Sequence, residues 1–237
     1  MTWSILAHDP ATGEYGVAVA TRFFAVGALC PHGDGRFGVL ATQALVNPLY
    51  GGRGLRLLAD GFSASGIVAM LTGADPGASV RQLHVMDARG AVSAHTGKDC
   101  VDWCGHISGT HVSVAGNMLA GPKVISATRD ACLASLHLPM AERLMTALEA
   151  GEREGGDKRG KQSASVRVWR GEEHCMLDFR TDDHADPLAE LRRLYAAAHE
   201  RYIGFSGALA TRANPAGITN RAEIDAMIAA AAEKRKA

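Results

Sequence analysis

Residues 138–169 read LPMAERLMTALEAGEREGGDKRGKQSASVRVW and join two different periodicities through a polar loop. The first part predicts a helix over residues 138–151, because its apolar residues recur every three to four positions and share one face. The last part predicts a strand over residues 163–169, because its apolar residues recur at every second position. A helix with one apolar face beside an alternating strand is typical of a protein in which helices pack on sheets.

The connecting loop, residues 155–163, contains glycines, a carboxylate, three cations, an amide and a hydroxyl. A turn between a helix and a strand needs only one or two such residues. Glycines give this backbone unusual freedom, and the elements on both sides would hold its polar groups rigidly. The loop therefore predicts a functional site that contains Asp157, Arg159, Gln162 and Ser163. The alternative is a solvated loop with a basic run.

The whole chain has 237 residues, of which 47% are hydrophobic, and this is enough for one substantial core. Lys and Arg number 25, and Asp and Glu also number 25, so no net charge attracts nucleic acid or an anionic membrane. No apolar stretch approaches the ~20 residues that span a bilayer, and the first residues lack a signal-peptide pattern. We therefore expect a cytoplasmic protein whose partner is a small molecule, with no nucleic acid and no membrane.

Five cysteines form an odd set, which in a chain of this size favours reduced thiols over a disulfide framework. Cys100, Cys104 and His106, with His95 or His111, have spacings that loosely fit zinc ligands. No second cysteine pair completes a structural zinc site, so we expect no metal and no cofactor. A metal or redox centre at Cys100 is kept as a third hypothesis.

The remaining elements follow from the same periodicities and from glycine, proline and capping signals. The predicted strands are residues 4–7, 15–21, 38–44, 81–87, 91–96, 111–115 and 175–179, and residues 105–109 are predicted to turn the chain. Helices are predicted over residues 50–60, 122–136, 187–202 and 221–236, the last with Asn220 as its cap. One more helix is predicted after its cap at Ser63, and it ends at residue 71.

The order of these elements is strands, two helices, strands, two helices, strands. This order predicts an α+β fold, a four-layer αββα sandwich of two antiparallel sheets between pairs of helices. We assign residues 1–185 to this domain and residues 186–237 to a helical C-terminal extension. The apolar faces of the extension favour packing on the domain or on the partner in a homodimer.

Thr2 is the first chemical candidate. If Met1 is removed, Thr2 carries both a hydroxyl and an α-amine, and the pKa of such an amine, about 7.7–8.0 in model peptides, lies near operating pH. The amine can then act as general base to the hydroxyl of its own residue. The alternative is an ordinary threonine at the start of a first strand.

Amides and one cation supply further candidates. Gln43 and Asn47, at and after the end of a predicted strand, can orient an amide or carboxylate substrate through paired donors and acceptors. Asn117, between a strand and the start of a helix, can stabilise an oxyanion together with neighbouring backbone N–H groups. Arg22 follows the second strand, where a cation can lower the pKa of a nucleophile. The alternatives are that Gln43 and Asn47 only cap the end of a strand, that Asn117 is a turn residue, and that Arg22 is a surface arginine.

Several short motifs occur in a fixed order along the chain. They are Thr2-Trp3-Ser4-Ile5, Gly16-Val17-Ala18-Val19-Ala20, Ala41-Thr42-Gln43-Ala44, Asn47-Pro48, Gly116-Asn117-Met118-Leu119-Ala120-Gly121-Pro122, Gly155-Gly156-Asp157, Arg159-Gly160 and Gln162-Ser163-Ala164. In this order and at these distances they resemble the "domain of unknown function 1028" family, over roughly residues 1–200.

The resemblance implies the αββα fold of the N-terminal-nucleophile (Ntn) hydrolases, with which that family is grouped. It implies that Thr2 occupies the position of the nucleophile, and that Asp157 and Ser163 lie in a loop that supports the amine of the nucleophile. Thr21 and Arg22 fall where such hydrolases often keep supporting polar residues. The expected activity is hydrolysis of a small C–N bond without a cofactor.

The alternative is a non-catalytic protein that binds a small polar ligand on the same scaffold. In the hydrolase, Asp157, Arg159, Gln43 and Asn47 are expected to position the substrate or the amine. In the binding protein, one cluster of polar side chains is expected to hold the ligand. The cluster consists of Gln43, Asn47, Asn117, Asp157 and Arg159.

Overall fold

Ten strands and seven α-helices make up the computed structural model, which describes residues 2–234. The strands are β1 (Thr2–Asp9), β2 (Glu14–Thr21), β3 (Pro31–Asp34), β4 (Gly38–Ala44), β5 (Arg81–Asp87), β6 (Val92–Thr96), β7 (Gly105–Gly109), β8 (Val112–Asn117), β9 (Ser163–Arg170) and β10 (Leu177–Thr181). The helices are α1 (Leu49–Ala59), α2 (Ala64–Gly73), α3 (Lys123–Ala134), α4 (Met140–Arg153), α5 (Pro187–Ala198), α6 (Tyr202–Ser206) and α7 (Arg221–Lys234).

The strands form two antiparallel sheets, which confirms the predicted mixed α+β class. One sheet has six strands in the order β10–β9–β2–β1–β8–β7, and the other has four in the order β3–β4–β5–β6. β1 is interior to the larger sheet, where Trp3 lies opposite Ala20 of β2 and Thr2 lies opposite Asn117 of β8. The start of β1 therefore lies between two neighbouring strands.

Alternation along the strands gives each sheet two different faces. In β1, Trp3 and Ile5 join the core that includes residues of α3, α4 and α5, whereas Leu6 joins the core shared by the two sheets. Thr2 and Ser4 have the same parity as Leu6, so their side chains point toward the four-stranded sheet. Helices α1 and α2 cover the outer face of that smaller sheet. The first strand thus presents polar groups to the space between the sheets.

The expected turn at residues 105–109 is wrong, because these residues form β7. They pair with β8 from Gly105 opposite Gly116 to Gly109 opposite Val112. Glycines favour turns locally, but pairing with a neighbouring strand decides this backbone, and a local pattern cannot show that pairing. The short strand β3 is also not predicted. It begins at Pro31, and proline is tolerated at the first residue of an edge strand.

Two helix ends differ from the prediction or cannot be compared with it. The helix predicted over residues 187–202 is too long, because α5 ends at Ala198 and the short α6 follows separately. α7 starts after Asn220 as predicted, with Oδ1 of Asn220 accepting the N–H of Ala222 at 2.9 Å. Its predicted end at residue 236 lies outside the described residues.

The domain boundary at residue 185 stays a prediction. None of the helices within residues 2–234 has the length and apolar character needed to cross a membrane.

Candidate functional site

Thr2 is buried at the head of β1, with β2 on one side and β8 on the other. Its Oγ1 lies 3.2 Å from Oγ1 of Thr21, the last residue of β2, and either hydroxyl can donate. On the other side, Thr2 is paired in the sheet with Asn117, the last residue of β8. Two of the residues predicted for the site, Thr2 and Asn117, are therefore neighbours.

A cavity of about 190 Å³ adjoins Thr2. Its wall comes from the chain after β2 and from the end of β4 with the loop that follows it. The described residues that line it are Thr2, Phe23, Val26, Leu29, Cys30, Thr42, Gln43, Ala44, Leu45 and Val46. Thr2 and Gln43 are the members of the predicted site in this lining.

Three buried amide side chains connect Thr2 with the facing sheet. Oε1 of Gln82 in β5 accepts from Nε2 of Gln43 at 3.0 Å and from Nδ2 of Asn117 at 2.8 Å. Nε2 of Gln82 donates to the backbone oxygen of Gly116 at 2.7 Å. Nε2 of Gln43 also donates to the backbone oxygen of Thr2 at 3.4 Å. Gln82 therefore sets the orientation of two predicted site residues.

A second buried chain of hydrogen bonds begins at Ser4. Oγ of Ser4 donates to Oε1 of Gln43 at 2.5 Å, so it accepts from Nε2 of His84 at 2.9 Å. Nδ1 of His84 then accepts from Oγ of Ser113 at 3.0 Å. Burial, with a smaller contribution from the charge of His106, lowers the pKa of His84 to about 3. His84 is therefore a neutral bridge between the sheets at physiological pH.

The thiol of Cys30 also belongs to the cavity lining. Its Sγ lies 3.7 Å from Oε1 of Gln43, and burial raises the pKa of this thiol to about 12. A thiol with such a pKa stays protonated at neutral pH and reacts slowly as a nucleophile. The pKa therefore argues against Cys30 as the reactive group of the cavity.

The polar loop, residues 155–163, lies against the segment that begins with the last residue of β2. We call residues 21–26 the wall segment. Oγ of Ser163 donates to the backbone oxygen of Phe23 at 2.6 Å and accepts the N–H of Val26 at 3.1 Å. Phe23 and Val26 both line the cavity. Ser163 therefore shapes the cavity from behind its wall.

Asp157 and Gln162 fasten the beginning of the wall segment. The carboxylate of the buried Asp157 accepts the N–H of Arg22 at 2.8 Å and the N–H of Arg159 at 2.9 Å. The guanidinium of Arg159 contacts the same carboxylate at 3.3 Å and donates to the backbone oxygen of Arg22 at 3.0 Å. The N–H of Gln162 donates to the backbone oxygen of Thr21 at 2.8 Å. The structure thus gathers these residues beside Thr21, the hydroxyl partner of the candidate nucleophile.

The side chain of Asn47 makes its hydrogen bonds outside both groups. Its Nδ2 donates to Oδ2 of Asp75 at 2.9 Å, and its Oδ1 accepts the N–H of Leu49 at the start of α1. The hydroxyl of Tyr50 donates to the same oxygen of Asp75 at 2.7 Å. The hydrogen bonds from Asn47 and Tyr50 hold the pKa of Asp75 well below its usual range. The side chain of Asn47 therefore supports the loop between β4 and α1.

The backbone N–H groups next to Asn117 already have acceptors. The N–H groups of residues 118–120 donate to backbone carbonyl groups at distances of 2.9 to 3.0 Å. An oxyanion that used them would have to replace these bonds. Asn117 is paired with Thr2 in the sheet, and one N–H of its side-chain amide donates to Oε1 of Gln82 at 2.8 Å.

Unusual backbone conformations surround the site. Ala25, Ala44 and Met118 have φ angles of 52°, 69° and 53°, a region that residues with a side chain rarely adopt. Ala44 lines the cavity, Ala25 belongs to the wall segment, and Met118 follows Asn117. Such conformations persist where the surrounding structure determines them, and they are frequent at functional sites.

Ser4, Gln82 and His84 are polar residues of the site that the sequence interpretation did not single out. A signal for two of them exists in β5, where Gln82 and His84 alternate with the buried Leu83 and Val85. Polar side chains on one face of an otherwise apolar strand need buried partners. That alternation could have placed both residues between the sheets.

The cysteines and histidines considered as zinc ligands have other contacts. Sγ of Cys104 donates to the backbone oxygen of Cys100 at 3.5 Å, and Nδ1 of His106 lies 2.9 Å from the hydroxyl of Thr96. Across residues 2–234, no three His, Cys, Asp or Glu side chains are grouped so that they could hold a metal ion.

Comparison with known proteins agrees with the motif pattern. The model of a family described as "Family of unknown function (DUF1028)" matches residues 2–191. A crystal structure of a DUF1028 protein from Silicibacter pomeroyi has 33% sequence identity and a TM-score of 0.86, and the match covers 93% of this chain and 96% of that one. No curated protein matches the chain significantly. The chain therefore belongs to DUF1028, a family of unknown function.

Proposed function

We propose that this protein hydrolyses a small C–N bond with Thr2 as nucleophile, on a four-layer Ntn-type fold. The observation that carries the proposal is the position of Thr2. It is buried at the head of an interior strand, its hydroxyl lies 3.2 Å from that of Thr21, and it lines a cavity of about 190 Å³. Helices on the outer faces of two sheets that share a core support the Ntn assignment.

The reaction requires removal of Met1, so that Thr2 acquires an α-amine. The amine accepts the hydroxyl proton while Oγ1 attacks the carbonyl carbon of the amide. The proton passes to the leaving nitrogen as the C–N bond breaks, and water then hydrolyses the ester on Thr2. Thr21 orients the hydroxyl, and the side-chain amide of Asn117 donates to the developing oxyanion.

The other predicted residues have positioning roles in this proposal. Gln43 and Gln82 hold the amide of Asn117 and the backbone of Thr2 in one arrangement. Asp157, Arg159, Gln162 and Ser163 stabilise the wall segment, and Arg22 receives their contacts through its backbone. Asn47 supports the loop after β4.

An acylating probe tests the nucleophile directly. The protein is purified from its own cells, its intact mass shows whether Met1 is removed, and a β-lactone is added. We expect a covalent adduct on Thr2 in the unmodified sequence and in Thr2→Ser, and no adduct in Thr2→Ala. Thr110→Ala, at an exposed threonine, should keep the adduct. Retention of Met1, or an equal adduct in Thr2→Ala, contradicts the proposal.

A non-catalytic ligand-binding function is the second candidate. The observation that favours it is the engagement of the N–H groups of residues 118–120 with backbone carbonyls, because a hydrolase needs available donors for the oxyanion. The test is an amide that binds in the cavity and raises the melting temperature of the protein. If this amide is recovered unchanged after long incubation, the result would support ligand binding over hydrolysis.

A further inference from the structure

The lining of the cavity beside Thr2 is mainly apolar. Phe23, Val26 and Leu29 contribute from the chain after β2, and Leu45 and Val46 contribute from the chain after β4. Within residues 2–234, the lining includes no charged side chain. An ionised group in this space would lose its hydration without gaining a partner of opposite charge.

The polar part of the lining is confined and already organised. The hydroxyl of Thr42 donates to the backbone oxygen of Asn47 at 3.3 Å. The amide of Gln43 is held by Ser4 and Gln82 and reaches the backbone of Thr2. The amide of Gln43 thus lies beside Thr2, and most of the remaining lining offers apolar contacts.

The volume of the cavity limits the group it can hold. It measures about 190 Å³. An apolar cavity of about 150 Å³ in another protein holds one benzene molecule. The cavity therefore has room for one phenyl ring or one short branched alkyl group.

We propose that the substrate is a neutral amide whose acyl part is small and apolar, either phenyl-bearing or branched aliphatic, and that this acyl part occupies the cavity. The inference rests on the proposed function, since it takes Thr2 as the attacking residue. It specifies the class of substrate that this same site accepts.

The chemistry places the acyl part, and not the amine, in the cavity. Oγ1 of Thr2 forms a bond to the carbonyl carbon, the C–N bond breaks, and the hydroxyl proton leaves with the nitrogen. The acyl part stays on Thr2 as an ester until water adds and Oγ1 regains a proton. The amine must depart first, so it belongs at the mouth, where Phe23 and Leu45 are 57% and 65% exposed.

Calorimetric titration tests the inference without requiring turnover. The probes are phenylacetamide and isovaleramide, which are neutral, and succinamic acid, which carries a carboxylate. We expect both neutral amides to bind the full chain at least about tenfold more tightly than succinamic acid, and the same order of preference in Thr2→Ala, in which no turnover occurs. Val46→Trp, which fills the cavity, should weaken phenylacetamide binding by at least about tenfold, while Val101→Trp at an exposed site should not.

The outcomes separate the two proposals. Binding of the neutral amides with no hydrolysis would overturn the proposed function and leave the apolar acyl site intact. Preference for succinamic acid, or no binding of either neutral amide, would overturn the apolar site whether or not turnover occurs. If Val46→Trp does not fold, the preference of the unmodified chain among the three probes decides the question.

Discussion

The hydroxyl oxygens of Thr2 and Thr21 lie 3.2 Å apart at the adjoining ends of β1 and β2. Thr21 is in turn held by the N–H of Gln162, which donates to its backbone oxygen at 2.8 Å. The wall segment that begins at Thr21 is fastened by Asp157 and Ser163. Thr21 is therefore the residue through which the polar loop acts on the proposed nucleophile.

Thr21→Val should slow acylation of Thr2 by up to about a hundredfold, because it removes the hydroxyl that orients the nucleophile and keeps the side-chain volume. Binding of phenylacetamide should be unchanged, since Thr21 is not part of the cavity lining. The rate of adduct formation with a β-lactone, followed by mass spectrometry, measures the effect. Thr21→Ser should keep most of the rate. An unchanged rate in Thr21→Val would show that the contact has no role in reactivity.

Gln82→Leu should lower the free energy of unfolding by about 2–4 kcal/mol, because it leaves the buried amides of Gln43 and Asn117 without their common acceptor. Urea denaturation at neutral pH measures the loss. The matched control is Gln162→Leu, whose side chain makes an exposed contact with Asp183 and whose backbone bond to Thr21 is preserved. If the loss of unfolding free energy in Gln82→Leu is no larger than in Gln162→Leu, Gln82 does not stabilise the buried amides as proposed.

Ser163→Ala should loosen the wall segment, since the backbone oxygen of Phe23 and the N–H of Val26 both lose their partner. We expect a loss of about 1–3 kcal/mol in unfolding free energy and faster amide hydrogen exchange over residues 23–26. Ser126→Ala is the control, because the hydroxyl of Ser126 is exposed on α3. Unchanged exchange over residues 23–26 would contradict the supporting role of Ser163.

His84 should make folding stability depend on pH. Its folded-state pKa of about 3 lies below the ordinary value of 6.5, so the unfolded chain binds a proton more readily between these values. The stabilisation from neutral His84 is complete above about pH 6.5 and is lost toward pH 3 at about 1.4 kcal/mol per pH unit. Urea denaturation at a series of pH values between 3 and 6.5 should therefore show a steeper loss of stability in the unmodified chain than in His84→Gln.

The control for this prediction is His137→Gln, at an exposed histidine, which should keep the slope of the unmodified chain. Equal slopes in the unmodified chain and in His84→Gln would mean that His84 does not titrate differently on folding.

Local patterns predicted most of the regular elements. The periodicity of residues 138–151 matches α4 to within two residues at each end, and β4 has the predicted limits. The cap at Ser63 is confirmed, since its Oγ accepts the N–H of Gly66 at 3.2 Å. Failures occurred where the pairing of distant segments decides the backbone, as in β7, or where an apolar pattern continues past the end of a helix, as in α5.

The sequence by itself determined the fold class, the family, and the polar character of residues 155–163, because periodicity and short motifs express burial and geometry over a few neighbouring residues. Only the tertiary structure decided which polar groups meet. Gln82 joins Gln43 across 39 residues, and Ser163 reaches Phe23 across 140. Such contacts depend on strand order and on how the two sheets face each other, which no local pattern records. For the same reason, the mainly apolar lining of the cavity beside Thr2 became visible only in the folded chain.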